Sequence, residues 1–166
     1  MSIPSHRIRL LPFFEGLIRK HQGDFTSILD LGCGELGAAW KQRLSDKYTG
    51  YDNRESVNPD YVGDACDLSC FSDDSFDVVV GWSSIEHVTC PYHMIIEMRR
   101  VSKGTCIVTT DFTHHDKDGD NSHLYSWTPK TFKQLISTVH SNNKVYVDGG
   151  MMIGVLYNCD FTDGEH

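Results

Sequence analysis

The order of apolar and polar residues predicts a chain that alternates between strands and helices. Short apolar runs, above all 76–82, are typical of strands that are buried on both faces of a parallel sheet. Apolar residues that recur every three or four positions instead predict amphipathic helices. The patterns predict strands at 26–31, 48–52, 61–63, 76–82, 104–110, 144–147 and 152–157. They predict helices within 1–22, 38–45, 91–101 and 129–139.

This alternation is typical of an α/β domain with a doubly wound, mostly parallel sheet. The last two predicted strands are separated by the turn Asp148-Gly149-Gly150, which predicts an antiparallel hairpin at the end of the sheet. No linker or internal repeat divides the sequence. We therefore predict one domain over 1–166 with a Rossmann-like sheet of seven strands and an N-terminal helix within 1–22. The polar stretch 113–127 is expected to be an exposed substrate loop.

The charge balance makes nucleic-acid binding a poor first hypothesis. The chain has 15 Lys and Arg residues against 23 Asp and Glu residues, a net charge of −8, whereas binding to DNA or RNA depends on neutralising phosphates. No apolar run approaches the roughly 20 residues that cross a bilayer, so no membrane partner is expected. The first residues lack a basic segment followed by an apolar core, so we expect no secretion signal, and the six cysteines form no CxxC pair. These features favour reduced thiols and a cytoplasmic location.

The first predicted strand ends in a glycine-rich turn that is typical of nucleotide-binding domains. The segment Asp30-Leu31-Gly32-Cys33-Gly34 joins this strand to the following helix, and its glycines let a ligand approach the backbone. Asp52 lies at the end of the second strand, where a carboxylate can accept hydrogen bonds from both hydroxyls of a ribose. These two features fit NAD and S-adenosylmethionine equally well.

Two further acidic positions favour S-adenosylmethionine. The charge of Asp30 would repel a pyrophosphate but attract the ammonium group of an amino acid. Asp64, followed by Ala65, comes directly after the third strand, where its carboxylate can accept a hydrogen bond from an adenine amino group. An NAD(P)-dependent oxidoreductase would need no carboxylate at position 30, and it remains an alternative.

Three motifs together resemble the class I S-adenosylmethionine-dependent methyltransferases, in particular the type 11 branch. They are Leu29-Asp30-Leu31-Gly32-Cys33-Gly34, the segment 71–79 (FSDDSFDVV) and Glu86-His87-Val88. The resemblance extends from Ile28 to about Tyr157 and implies S-adenosylmethionine as the cofactor. It implies that the methionine part lies against Asp30, Gly32, Cys33 and Gly34, that Asp52 holds the ribose, and that Asp64 and Ala65 hold the adenine. Trp82 and Ser83 would line the pocket beside the sulfonium.

The sequence departs from the family pattern in two places. The last glycine of the turn is Gly37, one residue later than is usual for the family. The segments 53–60 and 66–75 are also too short for full helices between the second, third and fourth strands. The path of the glycine turn and the thickness of the pocket wall therefore stay open.

His87 is the main candidate for a catalytic residue. It follows the fourth strand, at the edge of the sheet where ligands bind in such folds. An unperturbed imidazole pKa near 6.5 suits a general base at neutral pH. His123 is the second candidate for this role, and Glu86 is a candidate to orient His87.

The sequence predicts no metal site. Alternating aspartates in the stretch 113–127 are similar to a calcium loop, but Trp127 stands where the closing glutamate belongs, so we reject an EF-hand. The set Glu86, His87 and His123 faintly resembles small-RNA 2′-O-methyltransferases that hold a divalent ion. Those enzymes need a further glutamate, where this chain has Ser83.

We predict a methyltransferase that modifies an oxygen or nitrogen of a small polar acceptor, because the chain leaves no room for a separate substrate domain. The expected partner is this small molecule alone, and the expected assembly is a monomer or homodimer. An RNA 2′-O-methyltransferase and a non-catalytic, methyltransferase-like partner subunit remain alternatives.

Overall fold

A computed structural model describes residues 10–111, 123–148 and 150–158. Within them, seven strands form one sheet in the order β3-β2-β1-β4-β5-β7-β6. The strands are β1 (Ile28–Leu31), β2 (Tyr48–Asp52), β3 (Tyr61–Val62), β4 (Phe76–Trp82), β5 (Ser102–Asp111), β6 (Asn143–Asp148) and β7 (Met151–Tyr157). The predicted seven-stranded α/β fold is confirmed.

The strands β1–β5 pair with one another in parallel, and β6 and β7 form the predicted hairpin, in which β7 alone runs in the opposite direction. β1 pairs in parallel with both β2 and β4, β2 pairs with β3, and β4 pairs with β5. β7 is antiparallel to both of its neighbours, β5 and β6. The order of the sheet reverses between β1 and β4, and in doubly wound sheets ligands bind outside the carboxyl ends of the strands at this point.

In the described part of the chain, four α-helices cover the two faces of the sheet. They are α1 (Leu11–Gln22), α2 (Gly37–Leu44), α3 (Pro91–Val101) and α4 (Pro129–Val139). Side chains of α1 and α2, such as Phe14 and Trp40, pack in one apolar cluster with Val78 and Val80 of the central strand. Side chains of α3 and α4, such as Met94 and Phe132, pack in a second cluster. The central strand is therefore buried on both faces, as its unbroken apolar run predicts.

The short segments between β2 and β4 form turns in place of helices, as their lengths predict. Glu55–Val57 is a single 3₁₀ turn. The segment before β4 is held by Arg100, whose guanidinium donates hydrogen bonds to the carbonyls of Leu68 and Phe71 at 2.9 Å each. Glu97 accepts a hydrogen bond from the Leu68 amide at 2.8 Å. The wall of the cleft beside β3 is therefore only a single layer of turns.

The N-terminal helix is tied to the hairpin by a buried histidine. The ring nitrogens of His21 lie 2.8 Å from the Tyr157 hydroxyl and 2.9 Å from the Tyr146 hydroxyl. This side chain is 5% exposed. The predicted helix within 1–22 is observed from Leu11 onward, and its predicted part before residue 10 lies outside the described residues.

The predicted substrate loop at 113–127 falls outside the described residues except for 123–127. Among the helices of the described ranges, none combines the length and the apolar character that a membrane span requires.

Candidate active site

The glycine turn is attached to the end of β2. The amides of Gly32 and Cys33 donate to the carbonyl of Tyr51 at 2.8 and 3.2 Å. The amide of Gly34 donates to Oδ2 of Asp52 at 2.8 Å. Two elements that sequence analysis assigned to one ligand site, the turn after β1 and the carboxylate after β2, are therefore in direct contact.

Steric constraints explain why glycine is needed at the start of this turn. Gly32 has a φ of +71°, and a Cβ at this position would lie 2.6 Å from Cβ of Ser84. The turn is therefore packed directly against the segment that follows β4. Gly34 also has a positive φ, +53°, and a Cβ there would lie 3.3 Å from the Arg54 guanidinium. The backbone of the turn is thus close-packed on two sides.

Asp52 is buried, and both of its carboxylate oxygens accept hydrogen bonds. The residue is 4% exposed, and its Oδ1 accepts hydrogen bonds from the amide of Arg54 at 2.9 Å and from Nε of Arg54 at 3.2 Å. The Arg54 side chain is 57% exposed, so it can move off the carboxylate without disturbing the core. This contact was not predicted, because no periodic pattern marks Arg54.

Asp30 lies in β1, two residues before Gly32. It is 1% exposed, its Oδ2 accepts a hydrogen bond from the Tyr48 hydroxyl at 2.7 Å, and its Oδ1 has no hydrogen-bond partner among the residues that the structure describes. Burial raises the pKa of the Asp30 carboxyl to about 7 against the opposing effect of Tyr48, and the Asp52 charge adds to the increase. Burial, together with the charges of Asp30 and Asp52, raises the pKa of the Cys33 thiol to about 12. Cys33 is therefore a neutral, buried thiol.

Asp64 and Ala65 lie just after β3, as predicted. Asp64 is exposed, and its Oδ1 accepts a hydrogen bond from the amide of Cys66 at 2.9 Å. Ala65 packs against the second apolar cluster. Oδ1 of Asp64 thus stabilises a turn after β3. Its other oxygen, Oδ2, can still accept a hydrogen bond from a ligand.

Trp82 is the last residue of β4 and packs inside the protein. It is 8% exposed, and its ring stacks on Phe14 with centroids 4.2 Å apart and lies 6.5 Å from the ring of Trp40. The next residue, Ser83, has a φ of +47°, and its amide donates to the carbonyl of Thr109 at 3.1 Å. Ser83 therefore turns the chain sharply at the end of β4, towards Glu86 and His87.

The structure brings together the three residues that were predicted to be catalytic. Glu86, His87 and His123 each offer an oxygen or nitrogen atom, and all three atoms lie within 4.8 Å of one another. The two imidazole rings are 4.7 Å apart at an angle of 73°. The amides of Leu124 and Tyr125 donate to the carbonyl of Glu86 at 2.8 and 3.2 Å, which fixes His123 beside the end of β4.

Glu86 is the buried member of this cluster. It is 2% exposed, and neither carboxylate oxygen has a hydrogen-bond partner among the described residues. The prediction that Glu86 orients His87 is thus not matched by a hydrogen bond between them. Burial raises the pKa of the Glu86 carboxyl to about 7, and the charge of Asp111 adds to this effect.

A cavity of about 320 Å³ lies on the other side of the glycine turn, between α2 and β2. It is lined by Cys33, Lys41, Tyr48 and Asp60, and none of Asp30, Asp52 and Asp64 borders it. We therefore do not assign it to the cleft that these carboxylates define.

Part of the chain is similar to a known protein family. A family model described as a methyltransferase domain, type 11, matches residues 29–108. This range includes the glycine turn, all three acidic positions and the Glu86-His87 pair. Residues 29–108 of the chain are therefore similar to a methyltransferase domain. This similarity favours S-adenosylmethionine as the cofactor over a nicotinamide cofactor.

Solved structures share the fold of this chain over nearly its whole length. A protein from Pyrococcus horikoshii OT3 is 20% identical with a TM-score of 0.69, over 94% of this chain and 92% of that chain. An S-adenosylmethionine-dependent methyltransferase from Aquifex aeolicus is 13% identical with a TM-score of 0.66, over 92% of both chains. A chain from the Haloferax volcanii complex between the Trm112 methyltransferase activator and a methyltransferase is 15% identical with a TM-score of 0.66, over 94% of both chains.

The residues at the carboxyl ends of the strands, where the order of the sheet reverses, fit the cofactor. Gly32 has no side chain, and beside Ser84 there is no room for one. No side chain of this residue therefore stands between the backbone of the turn and a ligand. Asp30 contributes a buried, unpaired carboxyl oxygen, and Asp52 contributes a carboxylate at the strand end. Donors such as an ammonium group and ribose hydroxyls suit these acceptors.

Proposed function

We propose that the protein is a methyltransferase, which binds S-adenosylmethionine across the carboxyl ends of β1, β2 and β3 and methylates an oxygen or nitrogen of a small polar acceptor. In this proposal Asp52 accepts hydrogen bonds from the ribose, and Asp64 with Ala65 holds the adenine. Asp30 and the turn from Gly32 to Gly34 hold the methionine part. An ammonium group beside Asp30 would stabilise the charged form of its carboxyl.

The contact between the turn and Asp52 carries this proposal. The hydrogen bond from the Gly34 amide to Oδ2 is 2.8 Å long and couples the two elements that the cofactor must bridge. Because Gly32 packs on Ser84, the same turn also touches the segment that leads to Glu86 and His87. One short path along the backbone thus connects the proposed cofactor site with the proposed acceptor site.

The cofactor supplies an activated methyl group, so positioning and exclusion of water are the main tasks of the protein. In our proposal the acceptor lies against the cluster of Glu86, His87 and His123. The imidazole of His87 is exposed and can receive a proton from an acceptor hydroxyl. His123 is the second group able to do so. Trp82 and Ser83 close the cleft behind the reacting atoms.

The small size of the acceptor rests on the architecture. Beyond the core sheet and its four helices, the described residues contain no further unit that could hold a polymer. The net charge of −8 also disfavours a polynucleotide. We therefore place a small polar metabolite ahead of RNA as the acceptor.

A thermal-shift measurement tests cofactor binding. At 100 times its dissociation constant, S-adenosylmethionine should stabilise the fold by about 2.7 kcal/mol, which corresponds to roughly 5–11 °C for a domain of this size. NAD should have no effect. Asp52→Asn keeps an acceptor for the Gly34 amide but loses the charge, and it should reduce the shift strongly. Asp24→Asn, a matched change at an exposed aspartate between α1 and β1, should leave it intact.

The outcomes separate the parts of this proposal. An unchanged melting temperature with S-adenosylmethionine would contradict the cofactor site. A full shift in Asp52→Asn would remove Asp52 from it. The acceptor is then sought by incubating the protein with cell extract and cofactor that carries a deuterated methyl group. A labelled polymer in place of a labelled metabolite would contradict the assignment of a small acceptor.

We also propose a cytoplasmic monomer or homodimer. The five cysteines among the described residues are all free thiols, which suits a reducing compartment. The structural relative from Haloferax volcanii is found in a complex with the Trm112 methyltransferase activator, so a protein partner is the alternative outcome. Light scattering of the purified chain, and of the chain recovered from its cells, distinguishes these assemblies.

A further inference from the structure

We propose that Glu86, His87 and His123 bind one divalent transition-metal ion. The three side chains each direct a donor atom into a region no more than 4.8 Å across. Two donors at about 2.1 Å from one ion in tetrahedral geometry are about 3.4 Å apart. Closing the site from the observed spacing therefore needs movements of at most about 1.4 Å, and both imidazoles reach solvent.

The buried carboxylate supplies an independent argument. Glu86 is 98% buried, and both oxygens lack a hydrogen-bond partner among the described residues. A buried carboxylate without a partner is costly, and such groups are usually paired or coordinate a metal. In the described part of the chain, the groups that approach it as ligands are the two imidazoles of the same cluster. A cation between the three would compensate the buried charge.

The backbone holds the cluster in place without the ion. The carbonyl of Glu86 accepts hydrogen bonds from the amides of Leu124 and Tyr125, and the Tyr125 hydroxyl donates to the carbonyl of Thr89 at 3.0 Å. These contacts anchor the segment that carries His123 to the carbonyls of Glu86 and Thr89. The donor atoms are thus brought together by the fold, which is the condition for a site that binds metal without first having to order the chain.

The donor set indicates the class of ion. Two imidazole nitrogens and one carboxylate oxygen suit Zn²⁺, Mn²⁺, Fe²⁺ or Co²⁺, whereas Mg²⁺ and Ca²⁺ prefer sites made of oxygen alone. Three protein ligands leave at least one coordination position for water or for an oxygen of a small molecule. Metal binding itself does not depend on the proposed function. The further consequence, that an acceptor oxygen occupies the open position, does rest on it.

An ion would change the part played by His87. An imidazole whose nitrogen is bound to a metal is no longer a general base, and the ion itself lowers the pKa of a bound hydroxyl or water. His87 and His123 would then both be metal ligands, and neither would act as the general base. Replacement of either should therefore have similar effects on metal affinity.

Metal titration of the purified full chain tests the inference. After dialysis against a chelator, Co²⁺ and Zn²⁺ are titrated separately and followed by calorimetry, with the visible absorption of Co²⁺ reporting coordination. We expect one ion per chain. His87→Ala and His123→Ala should each weaken binding at least tenfold, since even second-sphere partners of metal ligands contribute about that much. Glu86→Gln, which keeps the side-chain shape, should also weaken it.

A matched control is available on α3. His93 is exposed and lies outside the cluster, so His93→Ala should bind both ions as tightly as the unchanged protein. Melting curves without metal check that each variant is folded. Equal affinity in all four variants would overturn the inference, because the ions would then bind elsewhere, and so would the absence of binding to the unchanged protein at millimolar ion.

A separate titration with S-adenosylmethionine distinguishes the two proposals. Binding of metal through the cluster without binding of the cofactor would support the metal site and contradict the proposed cofactor site. Binding of the cofactor together with a metal affinity that does not depend on His87 and His123 would support the proposed cofactor site and contradict the metal site.

Discussion

Replacing Gly32 by alanine should damage both the stability of the protein and its cofactor site. The glycine has a φ of +71°, and an added Cβ would lie 2.6 Å from Cβ of Ser84. This distance is too short for two carbon atoms, and the obstacle lies close to the backbone of Ser84 and not at the end of a flexible side chain. The turn would have to move away from the end of β4.

Two contributions set the size of the effect. A non-glycine residue in the left-handed region costs roughly 1–2 kcal/mol. Forcing an extra methyl group into a well-packed site costs typically 1–3 kcal/mol more. We therefore expect Gly32→Ala to lower the free energy of unfolding by about 2–5 kcal/mol, and the melting temperature by roughly 4–20 °C.

Urea denaturation followed by circular dichroism measures this loss, and two further variants isolate its origin. Gly23→Ala places a methyl group at a similar φ of +75° with nothing within 4 Å, so it should show the cost of the backbone alone. Ser84→Gly removes the obstructing Cβ and should restore part of the loss in the double variant. Equal stability of Gly32→Ala and the unchanged protein would refute this reasoning. Absence of any rescue by Ser84→Gly would show that the contact is not its cause.

Three other changes should have defined effects. Asp30→Asn should stabilise the protein at pH 8 by up to about 4 kcal/mol, because the pKa of the buried Asp30 carboxyl is raised to about 7. The stability that the neutral Asp30 carboxyl provides is complete below about pH 4 and is lost as the pH rises through 7. The melting temperatures of the two proteins should therefore converge in acid. His21→Phe removes hydrogen bonds to two tyrosine hydroxyls and should cost about 2 kcal/mol in calorimetry; an unchanged melting temperature would contradict the role of this histidine. Arg54→Ala removes the guanidinium from Oδ1 of Asp52 but keeps the hydrogen bond from the backbone amide. On our proposal it should tighten binding of S-adenosylmethionine by up to about fivefold, since an exposed ion pair contributes at most about 1 kcal/mol; weaker binding would mean that Arg54 itself contacts the cofactor.

The strands could be predicted closely where burial leaves a clear pattern. β4 is observed at Phe76–Trp82 and β2 at Tyr48–Asp52, the same residues that the sequence predicts. Both lie inside the sheet, where apolar runs and strand ends coincide. β5 begins two residues earlier than predicted, at Ser102, because Ser102 pairs with Phe76 beyond the end of the apolar run.

The site could be predicted only as a set of positions. The carboxyl ends of neighbouring parallel strands meet at one edge, so Asp30 and Asp52 could be expected near each other. The contact between His87 and His123 could not, since it depends on hydrogen bonds from residues 124 and 125 to a backbone carbonyl. Backbone contacts between distant segments leave no trace in residue periodicity. The same holds for Arg54, a polar residue in a turn that could face any direction.

The place of β7 in the sheet has a consequence for folding during synthesis. β7 is the last of the seven strands to leave the ribosome, yet it lies between β5 and β6, and all of its residues are buried. Until it emerges, β5 presents an unpaired, apolar edge of the kind that promotes aggregation. Nascent chains that stop before Met151 should therefore depend on chaperones, and release of the C-terminal hairpin is the step that protects them.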